Sequence, residues 1–93
     1  MSGLASDIAR AMENAELARS IAGHAAEEHF SVDAEEGANI IESVLESPDS
    51  LTRNLQNERT AYYKDGVIVI KNPRVPYGGT AYPGSFSDFL KLR

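Results

Sequence analysis

The sequence predicts an α+β fold, in which N-terminal helices pack on a small antiparallel sheet of three to four strands that is followed by a short C-terminal helix. Three observations lead to this prediction. The first half of the chain is rich in alanine and repeats apolar residues at steps of three and four, which is typical of amphipathic helices. Residues 59–82 are dense in β-branched and aromatic residues and are interrupted by turn residues. Residues 86–92 place four apolar side chains after a Pro-Gly turn.

The helical half predicts two helices. The first runs from Leu4 to about Glu28, and the second runs from about Ala34 to Leu45. Ser31 or Asp33 is placed to cap the second helix, and Pro48 prevents much continuation beyond it. Because an apolar stripe of this kind usually packs in a core, we expect both helices to lie on the sheet.

Residues 59–82 predict a three-stranded antiparallel meander. The alternating residues 59–63 and the apolar run 67–71 flank Asp65-Gly66, which is a strong signal for a two-residue hairpin. The run V-I-V-I-K fits a central strand that is buried on both faces. Two prolines then interrupt the ladder before a third strand at 80–82, since each proline lacks a hydrogen-bond donor.

The remaining segments connect these elements. Residues 49–57 are polar, with Leu51 and Leu55 as the only apolar anchors, and are predicted to be a connector. Ser85 is placed to cap a last short helix over 86–92. The chain of 93 residues is predicted to form a single domain.

Charge is distributed unevenly along the chain. Residues 1–50 carry 2 cations and 11 carboxylates, whereas residues 51–93 carry 7 cations and 3 carboxylates. The basic strand half either keeps a small protein soluble or faces a polyanion. The chain has no cysteine, so disulfides and thiolate metal sites are excluded. No membrane segment and no secretory signal are predicted, so delivery from outside would need a carrier or a secretion system.

Both histidines, His24 and His29, lie in the stretch G-H-A-A-E-E-H. A metalloprotease helix places its two histidines four residues apart, on one face. Five residues separate these histidines by roughly 140° around a helix. They can point at one site only if the helix ends or bends between them, and no metal or cofactor is predicted.

These residue types suit metal-free cleavage of RNA. That reaction needs a base for the 2′-hydroxyl, an acid for the leaving 5′-oxygen and donors for the charged phosphorane, and histidine can serve as acid or base near neutrality. Arg59, Lys71 and Arg74 could hold phosphate oxygens, and Thr60 and Thr80 add hydroxyl donors. We expect these five residues to gather on or beside one face of the sheet.

Five short motifs occur in order between residues 23 and 82. They are G-H-A-A-E-E-H at 23–29, S-P-D-S-L-T at 47–52, R-T-A-Y at 59–62, V-I-V-I-K-N-P at 67–73 and G-G-T-A-Y at 78–82. Together with the terminal aromatic helix, this order resembles the C-terminal ribonuclease toxin domains of bacterial polymorphic and contact-dependent-inhibition systems. The resemblance covers residues 23–93, and residues 1–22 lie outside it.

The resemblance implies a ribonuclease fold of the barnase, colicin tRNase and RelE type. It implies a metal-independent toxin that cleaves RNA, typically tRNA, in the bacterial cytoplasm and that is neutralised by a cognate immunity protein. With the chemistry above, the candidate residues fall into two groups. The catalytic group is His24, His29, Arg59, Thr60 and Thr80, and the substrate-binding group is Tyr62, Lys71 and Arg74.

Two other functions remain open at this point. The chain could be a non-catalytic relative that binds RNA or a protein on the same fold, which would follow if the histidines pointed away from the basic strands. It could also be a phage-type accessory protein whose acidic helices form the partner surface. RNA binding that weakens steeply with salt would separate the first two hypotheses from the third.

Overall fold

The structure is a computed structural model that describes residues 3–25, 33–76 and 78–93, with backbone alone at positions 3–7, 10, 24, 25 and 34. Seven elements lie in these ranges. They are α1 (Gly3–Ala25), α2 (Ala34–Glu46), β1 (Leu51–Asn54), β2 (Thr60–Lys64), β3 (Val67–Lys71), β4 (Gly79–Pro83) and α3 (Phe86–Lys91).

The four strands form one antiparallel sheet in the order β1-β2-β3-β4. Helices α1 and α2 pack on one face of this sheet, which we call the α1/α2 face, and α3 packs on the other, which we call the α3 face. This arrangement confirms the predicted α+β fold with its short C-terminal helix.

The β2–β3 hairpin follows directly from the sequence. Asp65 and Gly66 have φ angles of 49° and 81°, so they form the two-residue left-handed turn that Asp-Gly favours. This turn pairs Lys64 with Val67 and carries the register back to Thr60 opposite Lys71. As predicted, β3 is central, and its three middle residues are buried.

Strand β1 corrects the prediction that residues 49–57 form only a connector. Its four residues pair with β2 from Leu51 opposite Tyr63 to Asn54 opposite Thr60. The segment L-T-R-N has little strand propensity of its own. It is held instead by the cross-strand ladder and by Arg53, whose Nη1 donates to the Phe89 carbonyl at 2.6 Å.

The α1/α2 face holds the larger core. Ile21 of α1, Ile41 of α2 and Val69 of β3 are fully buried there, together with Ala81 of β4. Helix α2 begins after Asp33, whose carboxylate accepts from the Glu36 N–H at 2.8 Å, and this confirms one of the two predicted caps. The small alanines let both helices lie close to the strands.

The α3 face holds a smaller, aromatic core. Phe89 is 2% exposed and packs with Ala61, Ile68 and Ile70. Its ring centroid lies 5.6 Å from that of Tyr63. Ser85 and Asp88 form a capping box at the start of α3, so the predicted serine cap is confirmed.

Candidate functional site

A pocket of about 220 Å³ opens on the α1/α2 face, where β2 and β3 meet the loop between β3 and β4. We call it the β2–β3 pocket. It brings together three of the candidate residues, Thr60, Tyr62 and Lys71. The residues that line it are Leu17, Glu58, Thr60, Tyr62, Lys71, Pro73 and Gly78.

The hairpin register explains why these three side chains share one surface. Thr60 lies directly opposite Lys71, and Tyr62 lies two residues further along β2. Because side chains alternate across a strand, residues 60 and 62 point to the same face. Cross-strand partners also share a face, so Lys71 lies on the same surface as Thr60 and Tyr62.

Arg74 reaches the rim of this pocket through Glu58. Its guanidinium Nη2 lies 3.7 Å from the Glu58 Oε1, and the two side chains are 58% and 69% exposed. An ion pair this exposed contributes little to stability. It leaves the cations Lys71 and Arg74 and the carboxylate of Glu58 around the pocket.

Gly78 lets the β3–β4 loop close against α1. Its φ angle is 86°, and a Cβ at this position would lie 2.4 Å from the Leu17 Cδ1. Its N–H donates to the Val75 carbonyl at 3.1 Å, so this donor already has a hydrogen-bond partner within the loop. The neighbouring Gly79 is buried in β4. Gly78 therefore shapes the wall of the pocket, and Gly79 belongs to the strand beside it.

Arg59 and Thr80 lie on the α3 face, away from the pocket. Arg59 donates from Nε to the Gln56 carbonyl at 3.1 Å and from Nη2 to the Arg93 carbonyl. Thr80 pairs with Ile70, whose side chain belongs to the aromatic core under α3. The sheet thus divides the five residues that were expected to share one face.

The two histidine side chains lie outside the described residues, as does the whole of His29. The backbone of His24 belongs to the last turn of α1. Seven residues of helix separate it from Leu17, so position 24 lies on the same side of α1 about 10 Å further along the axis. The roles of both histidines therefore stay predictions.

Glu58 is a pocket residue that the sequence did not point to. It follows Asn57 in the β1–β2 connection, and the two residues have φ angles of 65° and 63°. Asparagine adopts this left-handed conformation readily, whereas glutamate does so rarely. Such backbone strain tends to occur at functional sites. A single glutamate before a strand matches no sequence motif, so nothing in the sequence indicated a role for Glu58. Only Asn57, a residue type common in left-handed turns, indicated a turn at this place.

Two pKa shifts occur on the α3 face. Burial raises the pKa of Tyr82, the Asp88 carboxylate raises it further, and the Arg59 guanidinium opposes this rise. Hydrogen bonds from the backbone N–H and the side chain of Ser85 lower the pKa of Asp88 within the capping box. Both shifts follow from how α3 is attached to the sheet.

The described residues also bear on two other classes of function. Among them, no three His, Asp or Glu side chains lie together as a metal site would require. No helix in the same part of the chain has the length and apolar character needed to cross a membrane.

The chain was also compared with known proteins. Comparisons with protein-family models, with curated proteins and with solved structures gave no match.

Proposed function

We propose that this protein is a small bacterial toxin that cleaves RNA, with tRNA as the substrate class, without a metal ion. The motif order in residues 23–93 supports the class of reaction. The β2–β3 pocket supports a site for the reaction, because Thr60, Tyr62 and Lys71 line one recess of about 220 Å³. An immunity protein and an action in the bacterial cytoplasm belong to the same proposal.

The proposed chemistry is attack of a ribose 2′-oxygen on the adjacent phosphorus. A 2′,3′-cyclic phosphate forms and the 5′-oxygen leaves. Lys71 and Arg74 hold the phosphate oxygens, and the Thr60 and Tyr62 hydroxyls donate to the charge that develops on them. One histidine removes the 2′-hydroxyl proton, and the other protonates the leaving 5′-oxygen.

The observation that carries this proposal is that two polar side chains of the pocket, Lys71 and Thr60, are not used to hold the fold together. Within the described residues, the Lys71 ammonium and the Thr60 hydroxyl make no hydrogen bond or ion pair with another side chain. Lys71 is exposed at the end of β3. Arg53 and Arg59, in contrast, both donate to backbone carbonyls. The pocket therefore holds polar groups that are available to a ligand.

The test is cleavage of purified tRNA by the purified protein in the presence of a metal chelator. We expect discrete fragments that end in a cyclic phosphate. Lys71→Gln should lower kcat/KM by roughly 10- to 100-fold, the loss expected for one hydrogen bond to a charged group. Lys91→Gln is the matched control, because it removes an exposed lysine from α3 and should change kcat/KM less than about twofold.

Variants of His24 and Arg59 extend this test to the proposed acid–base residues and to the other face of the sheet. His24→Ala should abolish cleavage and leave the fold intact, whereas wild-type activity would remove His24 from the mechanism. Arg59→Gln distinguishes the two faces of the sheet. Loss of cleavage in a folded Arg59→Gln variant would place the site on the α3 face and contradict the pocket proposal.

The alternative is a relative of the same fold that binds RNA or a protein without turnover. In that case the wild-type protein would bind tRNA at low salt and leave it intact. Lys71→Gln would then weaken binding and reduce its salt dependence by about one phosphate contact. Intact tRNA together with no binding would support an interaction protein instead.

A further inference from the structure

The sheet has two edges, and among the described residues no strand pairs with the outer edge of β1. The Leu55 N–H donates to the Arg59 carbonyl at 2.8 Å, which fixes the direction of the backbone groups along β1. Because these groups alternate along a strand, those of Arg53 point toward β2 and those of Thr52 and Asn54 point away from the sheet. Two N–H groups and two carbonyls are therefore presented at this edge.

The opposite edge, formed by β4, is protected. The Asn72 N–H donates to the Gly78 carbonyl, so the backbone groups of Gly78 point toward β3. Because backbone groups alternate along a strand, those of Gly79, Ala81 and Pro83 point away from the sheet. Helix α1 packs over this strand, and Ala81 is fully buried. Pro83 has no N–H to offer, which is a common way to block pairing at a sheet edge.

Strand β1 carries none of these protections. It packs mainly against β2, and Thr52 and Asn54 are both exposed. It contains no proline and no lysine, and no bulge interrupts its register. Exposed edges of this kind accept strands from other chains.

The side chains beside this edge indicate what such a strand would contain. Leu51 is 45% exposed and pairs with Tyr63, whose ring centroid lies 6.0 Å from that of the exposed Phe86. An apolar side chain of an added strand would cover this surface. Arg53 lies two residues along β1 on the same face and donates to the Phe89 carbonyl, and Lys91 and Arg93 follow Phe89 within four residues of the chain. Acidic side chains would be attracted there.

We propose that the open edge of β1 accepts an extended acidic segment of a partner protein as a fifth, antiparallel strand. Main-chain hydrogen bonds to Thr52 and Asn54 would align this segment. An apolar residue opposite Leu51 and a carboxylate opposite Arg53 would give it specificity. The proposal does not depend on ribonuclease activity, because this edge contributes no residue to the β2–β3 pocket.

A second copy of the chain fits this edge less well. In an antiparallel β1–β1 pair, one register uses the outward groups of Thr52 and Asn54 from both copies. That register places the two Arg53 side chains directly opposite each other, and like charges in this position are destabilising. An acidic segment instead places a carboxylate opposite Arg53, so the repulsion between two arginines is absent.

The experiment uses the whole protein, labelled for nuclear magnetic resonance, and a synthetic peptide acetyl-Ser-Thr-Glu-Thr-Val-Ser-amide. In the antiparallel register its glutamate faces Arg53 and its valine faces Leu51. In the free protein, the amides of Thr52 and Asn54 should exchange rapidly and those of Arg53 and Leu55 slowly. Millimolar peptide should shift the Thr52 and Asn54 amides and protect them from exchange.

Matched variants test the mechanism of binding. Thr52→Pro removes an outward N–H and should weaken binding about tenfold or more, whereas Thr52→Val keeps the N–H and should stay within about twofold. A peptide with lysine in place of glutamate should bind more weakly than the acidic one. No protection of Thr52 and Asn54 at millimolar peptide overturns the proposal. A dimer in which these two amides are protected without peptide also overturns it, in favour of a second copy.

Discussion

The two faces of the sheet use their polar residues differently. On the α3 face, Arg53 donates to the Phe89 carbonyl, Arg59 donates to the Gln56 carbonyl, and Asp88 belongs to the capping box of α3. On the α1/α2 face, the pocket holds Thr60 and Lys71 with no such partners in the described part of the chain. Arg53 and Arg59 thus hold backbone segments in place on one face, whereas Lys71 on the other face is available for a ligand. Residue type alone did not distinguish these two uses.

The difference has a physical basis in the sizes of the helices. Helix α3 has six residues, too few to be stable without tertiary contacts. Its attachment combines the buried Phe89 ring with polar bonds, namely the capping box at its start and the Arg53 bond to the Phe89 carbonyl. Helices α1 and α2 bury a continuous apolar surface on the strands and need no polar bond to β2 or β3. On that face, Lys71 at the end of β3 is exposed to solvent.

Loss of the Phe89 ring should have the largest effect. Phe89→Ala would remove the buried centre of the α3 face and should lower the free energy of unfolding by about 3–5 kcal/mol. Since a domain of this size has a small stability, the variant should be largely unfolded. Urea denaturation followed by circular dichroism measures the change. Leu90→Ala, at a position that is 52% exposed, is the control and should cost under about 1 kcal/mol.

Neutralising Arg53 should have the next largest effect and directly tests the comparison of the two faces. Arg53→Gln removes the bond to the Phe89 carbonyl and the guanidinium that lies 5.7 Å from the Phe89 ring centroid. The expected loss of stability is about 1.5–3 kcal/mol. Lys71→Gln should cost less than about 0.5 kcal/mol in the same urea titration. Equal losses in the two variants would contradict the assignment of structural cations to one face.

Removal of the α3 cap should have a smaller effect. Ser85→Ala deletes the hydroxyl that accepts from the Asp88 N–H at 3.0 Å, and it should lower stability by about 1 kcal/mol. Ser87→Ala, at an exposed position inside the same helix, should leave the thermal unfolding midpoint nearly unchanged. A midpoint for Ser85→Ala that matches the Ser87→Ala control would show that the capping box does not hold α3 in solution.

The dependence of stability on pH should show the smallest effect. Hydrogen bonds from Ser85 lower the pKa of Asp88 in the folded protein below the ordinary value of 3.8. Ionised Asp88 therefore stabilises the folded state above pH 3.8, and this contribution is lost as the pH falls through the lowered pKa. Thermal unfolding between neutral and strongly acidic pH should reveal the loss. Asp88→Asn should flatten that part of the profile, and an unchanged profile would contradict this role.

The sequence was most informative about the β2–β3 hairpin. Asp65-Gly66 implies a two-residue turn, and a two-residue turn is enough to fix Thr60 opposite Lys71. The caps at Asp33 and Ser85 follow from the same local chemistry. These features are determined by a few neighbouring residues, so local rules suffice for them.

The alternation of side chains along β2 also indicates which candidate residues cannot share a site. Arg59 and Thr60 are adjacent, and adjacent residues of a strand point to opposite faces. They could not both line one site, and in the structure they lie on opposite sides of the sheet. The division of the candidate residues could thus have been predicted from the position of the hairpin turn.

By itself the sequence determined the starts of α2 and α3, the hairpin turn and its register, because each depends on contacts within a few residues. Only the tertiary structure decided that residues 51–54 form a strand, since their ladder and the Arg53 bond to Phe89 join segments far apart in the chain. It also decided that Glu58 meets Arg74 at the rim of the pocket. Such placements depend on how whole elements pack, and packing energy is shared among residues that no local pattern connects.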